Sequence, residues 1–204
     1  MSAAPAQPRV RPGRPSTGAR ERIRDAALDV LKREGYAGLT TAKVAAASGQ
    51  NKGLIAYHFG SKQGLVAAVA RQVSDVLIAE VLAEVGEPSS AEELVRGLTA
   101  GVWSVIDSDP GIQRVYFDLA SQSIVDPEVS AIMAETKVTF RATLSELMRG
   151  LGDGPPESEL EATAVFLVAG IEGLALEHLD RGASPALARA RRIFETSAAA
   201  AIRG

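Results

Sequence analysis

The polar and aromatic residues between positions 40 and 62 have the types and spacing that suit contact with a polyanion. This stretch reads TTAKVAAASGQNKGLIAYHFGSK and places Lys52, Tyr57 and His58 within seven residues. Phenol, imidazole and ammonium groups bond to phosphate oxygens, and a lysine can also reach the edge of a guanine base. These residues therefore indicate a surface that binds nucleic acid.

The same stretch contains signals that would hold these side chains on two short helices. Thr40 can cap the first helix, and Gly49 can end it in a left-handed conformation that costs glycine little. Asn51 can cap a second helix that starts at Lys52, which Ile55 would anchor inward. Two helices joined by a short turn containing glycine form a helix-turn-helix, whose second helix enters the DNA major groove.

Residues 20–65 resemble the DNA-binding domain of the TetR family of bacterial transcriptional regulators. The resemblance rests on motifs in a fixed order, which are RERI-x-x-AA, Gly35-Tyr36, Thr40, Val44-Ala45, Gly49, Lys52-Gly53, Tyr57-His58-Phe59 and Ser61-Lys62. It implies an N-terminal three-helix DNA-binding domain over residues 17–65, with the helix-turn-helix at 41–60. It also implies phosphate contacts by Thr41, Tyr57, His58 and Lys62, and Thr40 beside them is a further candidate for a DNA contact.

Direct reading of bases falls to few side chains. The candidates are Gln50, Asn51, Lys52 and Tyr57. Gly53 lets the helix backbone approach DNA closely, whereas Leu54 has no hydrogen-bonding group and would touch a thymine methyl or fill space. Departures from the usual residues of the family occur at Gln50, Asn51, Leu54 and Ala56. The sequence leaves two roles open for Gln50, which would either contact a base or only occupy the turn. It also leaves two for His58, which would either contact phosphate or pack as a half-buried side chain.

Charge is distributed unevenly along the 204 residues. Residues 1–65 contain eleven Lys or Arg and four Asp or Glu, a net charge of +7, whereas the remainder carries −10. Only the first end would attract a polyanion. Residues 1–16 lack hydrophobic periodicity and are predicted to be a disordered basic arm. Arg11 and Arg14 lie in a segment similar to an AT-hook, so the arm would either enter an A·T-rich minor groove or supply general attraction.

The remaining sequence predicts helices only. The second helix of the motif would end near Phe59. Apolar spacing, interrupted by Gly, Pro and Asp, predicts further helices at about 17–34, 61–85, 91–107, 111–123, 127–151, 157–181 and 185–202. The predicted fold class is therefore all-α with about nine helices. By the resemblance, residues 66–204 form a helical effector-binding and dimerisation domain.

Two sets of residues in this second domain are candidates for binding. An effector pocket would be lined by Trp103, Tyr116, Phe117, Gln122, Met133, Phe140, Met148, Phe166 and His178. Each of these could instead fill the core, but together they favour a lipophilic or aromatic effector. The nearly continuous apolar segment 162–175 and the last helix would form a two-fold dimer interface through Val165, Ala169, Gly170, Gly173, Arg191, Phe194 and Ala198.

Other classes of function are disfavoured by the sequence. The chain has no cysteine, two histidines and no His-Glu-x-x-His, Gly-x-Ser-x-Gly or phosphate-loop pattern, so we expect neither an enzyme nor a metal site nor a cofactor. Charges interrupt the apolar runs and the start lacks a signal-peptide pattern, which predicts a soluble cytoplasmic protein without a membrane partner.

The expected function is that of a repressor. We expect a homodimer that binds double-stranded operator DNA with an inverted repeat and that a small-molecule effector releases. The alternatives are an activator of the same family and a sequence-tolerant architectural DNA-binding protein.

Overall fold

Nine α-helices and one short 3₁₀ helix account for most of residues 17–204, the part of the chain that the computed structural model describes. The predicted arm at 1–16, with Arg11 and Arg14, lies outside the described residues. The helices are α1 Thr17–Gly38, α2 Thr41–Ser48, α3 Lys52–Phe59, α4 Lys62–Val85, α5 Ala91–Ser108, α6 Pro110–Gln122, α7 Pro127–Gly150, α8 Leu160–Arg181 and α9 Pro185–Arg203. No β-strand occurs between residues 17 and 204, and the all-α prediction is confirmed.

Side-chain caps fix the ends of the helices in the helix-turn-helix. Thr40 Oγ1 accepts a hydrogen bond from the Lys43 N–H at 3.2 Å, and Asn51 Oδ1 accepts one from the Leu54 N–H at 2.9 Å. Gly49 follows α2 with φ 64°, a left-handed conformation that favours glycine. The capping signals in the sequence therefore predicted the local structure correctly.

Helices α1, α2, α3 and the first half of α4 pack around one buried cluster. At its centre Ile23, Leu39, Val44, Ile55 and Leu65 are each no more than 1 % exposed. The cluster continues into α6 and α7 through Val115, Leu119, Val129 and Met133. The head (residues 17–65) thus shares its core with the body (residues 66–204), and α4 runs through both.

A close crossing of α4 and α5 holds the second buried cluster together at one side. Gly97 and Gly101 of α5 face the backbone of Val85 and Val81 of α4. A methyl group at either glycine would lie 2.7 Å from a Cα atom of α4, a distance that real side chains do not tolerate. The two helices can approach this closely because glycine has no Cβ.

Helix α8 has one covered side and one open side. Its covered side contributes to the second cluster through Leu160, Ala164, Leu167, Val168 and Ile171. The sequence predicts burial on both sides, but within the described chain the opposite side is exposed.

The apolar character of α8 extends over a length that could cross a membrane. Glu157–Arg181 is the single segment of residues 17–204 that meets this criterion of length and hydropathy. Its inner side belongs to the core of the body, as expected of a helix that packs within a helical domain.

Candidate nucleic-acid interface and effector cavity

The recognition helix α3 turns a small polar surface outward and is anchored by apolar residues. Lys52 and Gly53 at its start are exposed, and Tyr57 is 69 % exposed. On the opposite side Ile55 is buried in the head core and Phe59 is half-buried against it. An ammonium group and a phenol are therefore presented to solvent by a helix whose other side is fixed.

The turn before α3 uses part of its polar capacity internally. Asn51 Oδ1 is committed to capping α3, and the Thr40 hydroxyl is committed to capping α2. Gln50 is half-buried, and its Nε2 donates to the Ser48 carbonyl at 3.5 Å. Of the predicted base-reading residues, Lys52 and Tyr57 are exposed, and the exposed Asn51 still presents its amide NH2 group to solvent.

Three other predicted contact residues are partly withdrawn from the surface. Leu54 is half-buried and packs against the head core, so its space-filling role is the one that the structure supports. Thr41 is also half-buried. His58 is half-buried with its ring edge-on to those of Tyr57 and Phe59. Its Nε2 is shielded from solvent and has no hydrogen-bond partner in the described part of the chain, so the ring must turn before that nitrogen can reach a phosphate.

Two cations of the head stack on aromatic rings. Lys62 Nζ lies 4.8 Å from the centroid of the Tyr36 ring, and the Arg20 guanidinium lies 5.4 Å from that of Phe59. Such contacts hold a cation in a defined place by its attraction to the ring face. The predicted phosphate contact of Lys62 would therefore start from a positioned ammonium group.

Tyr36 connects the head to α6 of the body. Gly35 has φ 67°, which interrupts α1 just before Tyr36. The Tyr36 N–H donates to Asp118 Oδ2 at 2.6 Å, and its hydroxyl donates to Asp126 Oδ2 at 3.4 Å. Burial raises the pKa of Tyr36, and the nearby Asp126 raises it further, so the hydroxyl remains a donor.

A second link joins α1 to the start of α6. Lys32 Nζ donates to Asp109 Oδ2 at 2.6 Å, and Asp109 Oδ1 accepts from the N–H groups of Gly111 and Ile112. Burial acts to raise the pKa of Asp109, but Lys32 and the two backbone bonds outweigh it, so the pKa is lowered. Sequence reasoning missed both links because their partners lie 77 and 82 positions apart and carry no local motif.

An apolar cavity lies in the body between α4, α5, α6, α7 and α8. Its volume of about 80 Å³ is several times the space that one water needs. The lining consists of Ser74, Leu77, Ile78, Val81, Leu98, Val102, Gln113, Tyr116, Thr136, Lys137, Phe140, Val168, Ile171 and Glu172. Of the predicted pocket residues, Tyr116 and Phe140 are found here.

The polar groups of the cavity wall bond to one another. The Tyr116 hydroxyl donates to Glu172 Oε1 at 2.5 Å, and Lys137 Nζ donates to Glu172 Oε2 at 3.2 Å. Burial raises the pKa of Tyr116, and the adjacent Glu172 charge raises it further. Tyr116 therefore stays protonated and donates to the carboxylate.

Four of the other predicted pocket residues fill space outside the cavity lining. Met133 and Met148 are buried in the first and second clusters. Phe117 and Gln122 are half-buried on α6 but do not line the cavity. Helical spacing placed all four on helices correctly, but it does not tell which neighbouring helix a given side faces.

The last three, Trp103, Phe166 and His178, are not among the residues that line the cavity, and Trp103 packs against the second cluster. The Trp103 and His178 rings lie with centroids 5.9 Å apart, and the Arg191 guanidinium lies 5.2 Å from the Trp103 centroid. Phe166 is on the open side of α8, where its ring centroid is 6.0 Å from that of Phe194. Arg191, which was predicted at a dimer interface, packs over Trp103 within its own chain, and its place at an interface stays a prediction.

The remaining predicted dimer residues divide between the open side of α8 and the core. Exposed residues are Val165, Ala169 and Gly173. Gly170 faces the half-buried Phe194, since a methyl group at Gly170 would clash with that ring. Ala198 is fully buried in the second cluster, so it contributes to the packing of α9 and is not available to a partner.

The helix-turn-helix head, joined through α1, α4 and α6 to a helical body with an internal cavity, defines a DNA-binding regulator. Residues 23–69 match the profile of bacterial regulatory proteins of the tetR family, and residues 91–203 match the C-terminal domain of BetI-type transcriptional repressors. The chain therefore belongs to the TetR family of transcriptional regulators and is not an enzyme.

Individual proteins agree with this assignment. The transcriptional repressor AcnR of Corynebacterium glutamicum is 28 % identical over 181 residues, which cover 86 % of this chain and 89 % of AcnR. A transcriptional regulator from Rhodococcus sp. Rha1 has a similar structure, with a TM-score of 0.75, 25 % identity and coverage of 91 % and 98 % of the two chains. The multidrug binding protein EbrR, crystallised with ethidium, gives a TM-score of 0.72, 25 % identity and coverage of 89 % and 98 %. These likenesses confirm the predicted family and favour a regulator over an architectural protein.

Proposed function

We propose that this chain is a repressor that binds an inverted-repeat operator as a cytoplasmic homodimer and is released by a small lipophilic effector. The observation that carries the proposal is the double role of α6. Tyr116 lines the cavity, and Asp118, two residues further along, bonds the backbone of Tyr36 in the head. A ligand that displaces Tyr116 would therefore move an anchor of the head.

The size of this response is limited by binding energy. A ligand shifts the balance between DNA-binding and released conformations only by its difference in affinity for the two. The Tyr36 and Lys32 links favour one placement of the head on α6, and a ligand that fits a different placement of α6 would weaken DNA binding. EbrR, which is described as multidrug binding, supports an effector with an apolar body.

The open side of α8, together with α9, supports the homodimer. Phe166, Leu176 and Ile193 are 43 %, 50 % and 58 % exposed, and apolar surface of this kind marks contact sites. A two-fold dimer would present two copies of α3 to successive major grooves, about 34 Å apart. An inverted-repeat operator follows from that symmetry.

The test is a DNase I footprint of the full chain on the DNA that flanks its gene. We expect one protected inverted repeat, and uniform coverage at low affinity would contradict the proposal.

A substitution on the open side of α8 tests the dimer. Leu176→Glu should sediment as a monomer and lose the footprint. Ala100→Glu, at an exposed position of α5, should remain a dimer and retain the footprint. Deletion of residues 1–16 tests the arm: unchanged affinity at physiological salt would dismiss a role for Arg11 and Arg14.

A further inference from the structure

Lys62 differs from most lysines of the described chain in what holds its ammonium group. Lys32, Lys43 and Lys137 each form an ion pair with a carboxylate. Lys62 forms no ion pair and no side-chain hydrogen bond among the described residues. Its ammonium instead lies over the face of the Tyr36 ring, with Nζ 4.8 Å from the ring centroid. The ammonium is thus positioned without a carboxylate partner.

A ring face holds a cation in a way that leaves it available to a phosphate. A lysine that is paired with a carboxylate must break that pair before it can bond to DNA, and the carboxylate then remains as a repulsive charge. The Tyr36 ring attracts the ammonium through its quadrupole and carries no net charge. Lys62 can therefore donate to a phosphate oxygen while it keeps its contact with the ring.

The Tyr36 ring is itself held at two points. The Tyr36 N–H donates to Asp118 Oδ2 at 2.6 Å, and the hydroxyl donates to Asp126 Oδ2 at 3.4 Å. The ring is half-buried and packs against the first cluster. A free lysine side chain samples many rotamers, and ordering it costs conformational entropy when DNA binds. A fixed ring under Lys62 reduces that cost in advance.

The start of α4 adds a second attraction at the same place. Lys62 is the first residue of α4, and Ser61 Oγ accepts from the Gly64 N–H at 2.9 Å. The N–H groups of Lys62 and Gln63 precede the first intrahelical hydrogen bonds and have no partner in the described structure. A phosphate beside Lys62 would therefore meet the ammonium and the positive end of the helix dipole together.

We propose that Tyr36 is a positioning residue for DNA binding, whose ring holds the Lys62 ammonium in place for a backbone phosphate. The inference rests on the proposed function, in which the head binds operator DNA. Lys62 makes the contact, and Tyr36 determines where its ammonium lies. Since a phosphate contact carries no sequence information, Tyr36 contributes equally on operator and on other DNA.

The test is a double-mutant cycle on the full chain, in which fluorescence anisotropy measures affinity for an operator duplex and a random duplex. Lys62→Met removes the ammonium and should weaken both complexes about tenfold. Tyr36→Leu keeps an apolar side chain at the head core but removes the ring face, and should weaken both about threefold. With Lys62→Met already present, Tyr36→Leu should cause no further loss, because the ring has no cation to place. Additive losses, or an unchanged affinity in Lys62→Met, would overturn the proposal.

Two further measurements separate placement of the cation from folding. Tyr36→Phe retains the ring and should recover most of the affinity that Tyr36→Leu loses, so an equal loss in the two variants would contradict the proposal. The salt dependence of affinity in Tyr36→Leu should become shallower and approach that of Lys62→Met, which a loss of stability alone does not produce. Urea unfolding shows whether each variant is folded. If the native protein does not prefer operator to random DNA, the repressor function fails, while the cycle still decides the role of Tyr36.

Discussion

The DNA-facing surface of the head and the cavity of the body hold charged groups in opposite ways. On α3 the Lys52 side chain stands in solvent, whereas in the cavity Lys137, Tyr116 and Glu172 bond to one another. An exposed ammonium keeps its water until a phosphate replaces it, but a charge beside an apolar wall is costly unless it is paired. The head therefore gains partners when it binds DNA, and the body must exchange partners when it binds a ligand.

Charge reversal at the recognition helix is the strongest way to test this contrast. Lys52→Glu should lower affinity for the footprinted operator about 100-fold and make its salt dependence shallower, because each chain loses an attractive charge and gains a repulsive one. Fluorescence anisotropy with labelled operator at several salt concentrations measures both effects.

A matched reversal in the body gives the control for Lys52. Arg96 is exposed on α5, so Arg96→Glu changes net charge by the same amount at a position away from α3. It should alter operator affinity less than about threefold. Equal losses in the two variants would show that total charge, and not the surface of α3, governs binding.

Removal of the two polar rings on α3 should have the next largest effect. Tyr57→Ala combined with His58→Ala should weaken binding about tenfold on operator and on random DNA alike, since phosphate contacts carry no sequence information. Tyr57→Phe retains the ring and isolates the contribution of the hydroxyl. Selective loss on the operator alone would instead assign these residues to base reading.

Local signals made the head predictable from sequence. The caps at Thr40, Asn51 and Ser61 each bond to a backbone N–H three residues ahead, so a short window of sequence contains the whole interaction. The same is true of Gly49, whose left-handed φ ends α2. Exposure was less predictable: Leu54 and His58 have the right spacing for a DNA contact but are turned partly toward the core.

The cavity depends on contacts that no local window contains. Glu172 meets Tyr116 from 56 positions away and Lys137 from 35. Large apolar residues were reasonable candidates for the cavity lining. Met133 and Met148 are instead buried in the two clusters, and Phe166 lies on the open side of α8. Which side of each helix faces inward is decided by packing between helices, and helical periodicity alone does not provide that information.

A smaller substitution separates close approach to DNA from folding. Gly53 is exposed and a methyl group there would meet only Asn51 Oδ1, 3.1 Å away, within the described residues. Because that atom caps α3 and must shift slightly to make room, Gly53→Ala should change the free energy of unfolding by no more than about 1 kcal/mol in either direction, while operator affinity falls several-fold because the backbone is held away.

The control for Gly53 is a glycine of the body with open surroundings. Gly150 at the end of α7 has no described atom within 4 Å of an added methyl group, so Gly150→Ala should not affect DNA binding. Thermal unfolding and anisotropy measure the two quantities separately. Unchanged operator affinity in Gly53→Ala would remove the close-approach argument.

The junction between head and body should give the smallest effect and a distinct pH dependence. Asp109→Asn preserves an acceptor for the α6 cap but removes the ion pair with Lys32, whose side chain is 25 % exposed against 39 % for Asp109. At this exposure the loss in free energy of unfolding should be below about 1 kcal/mol at neutral pH.

Since the folded state lowers the pKa of Asp109, the advantage of the native residue is present above its unfolded pKa of about 3.9 and is lost as pH falls through the lowered folded value. Urea unfolding of the native protein and of Asp109→Asn at pH 7 and at about pH 3 measures this effect, and the difference in free energy of unfolding should shrink on acidification. The control is Asp107→Asn, at an exposed position two residues earlier, which should differ little from the native protein at either pH. A difference that grows on acidification would mean that Asp109 is stabilised in its protonated form, and the junction would then resemble neither the exposed cations of α3 nor the paired charges of the cavity.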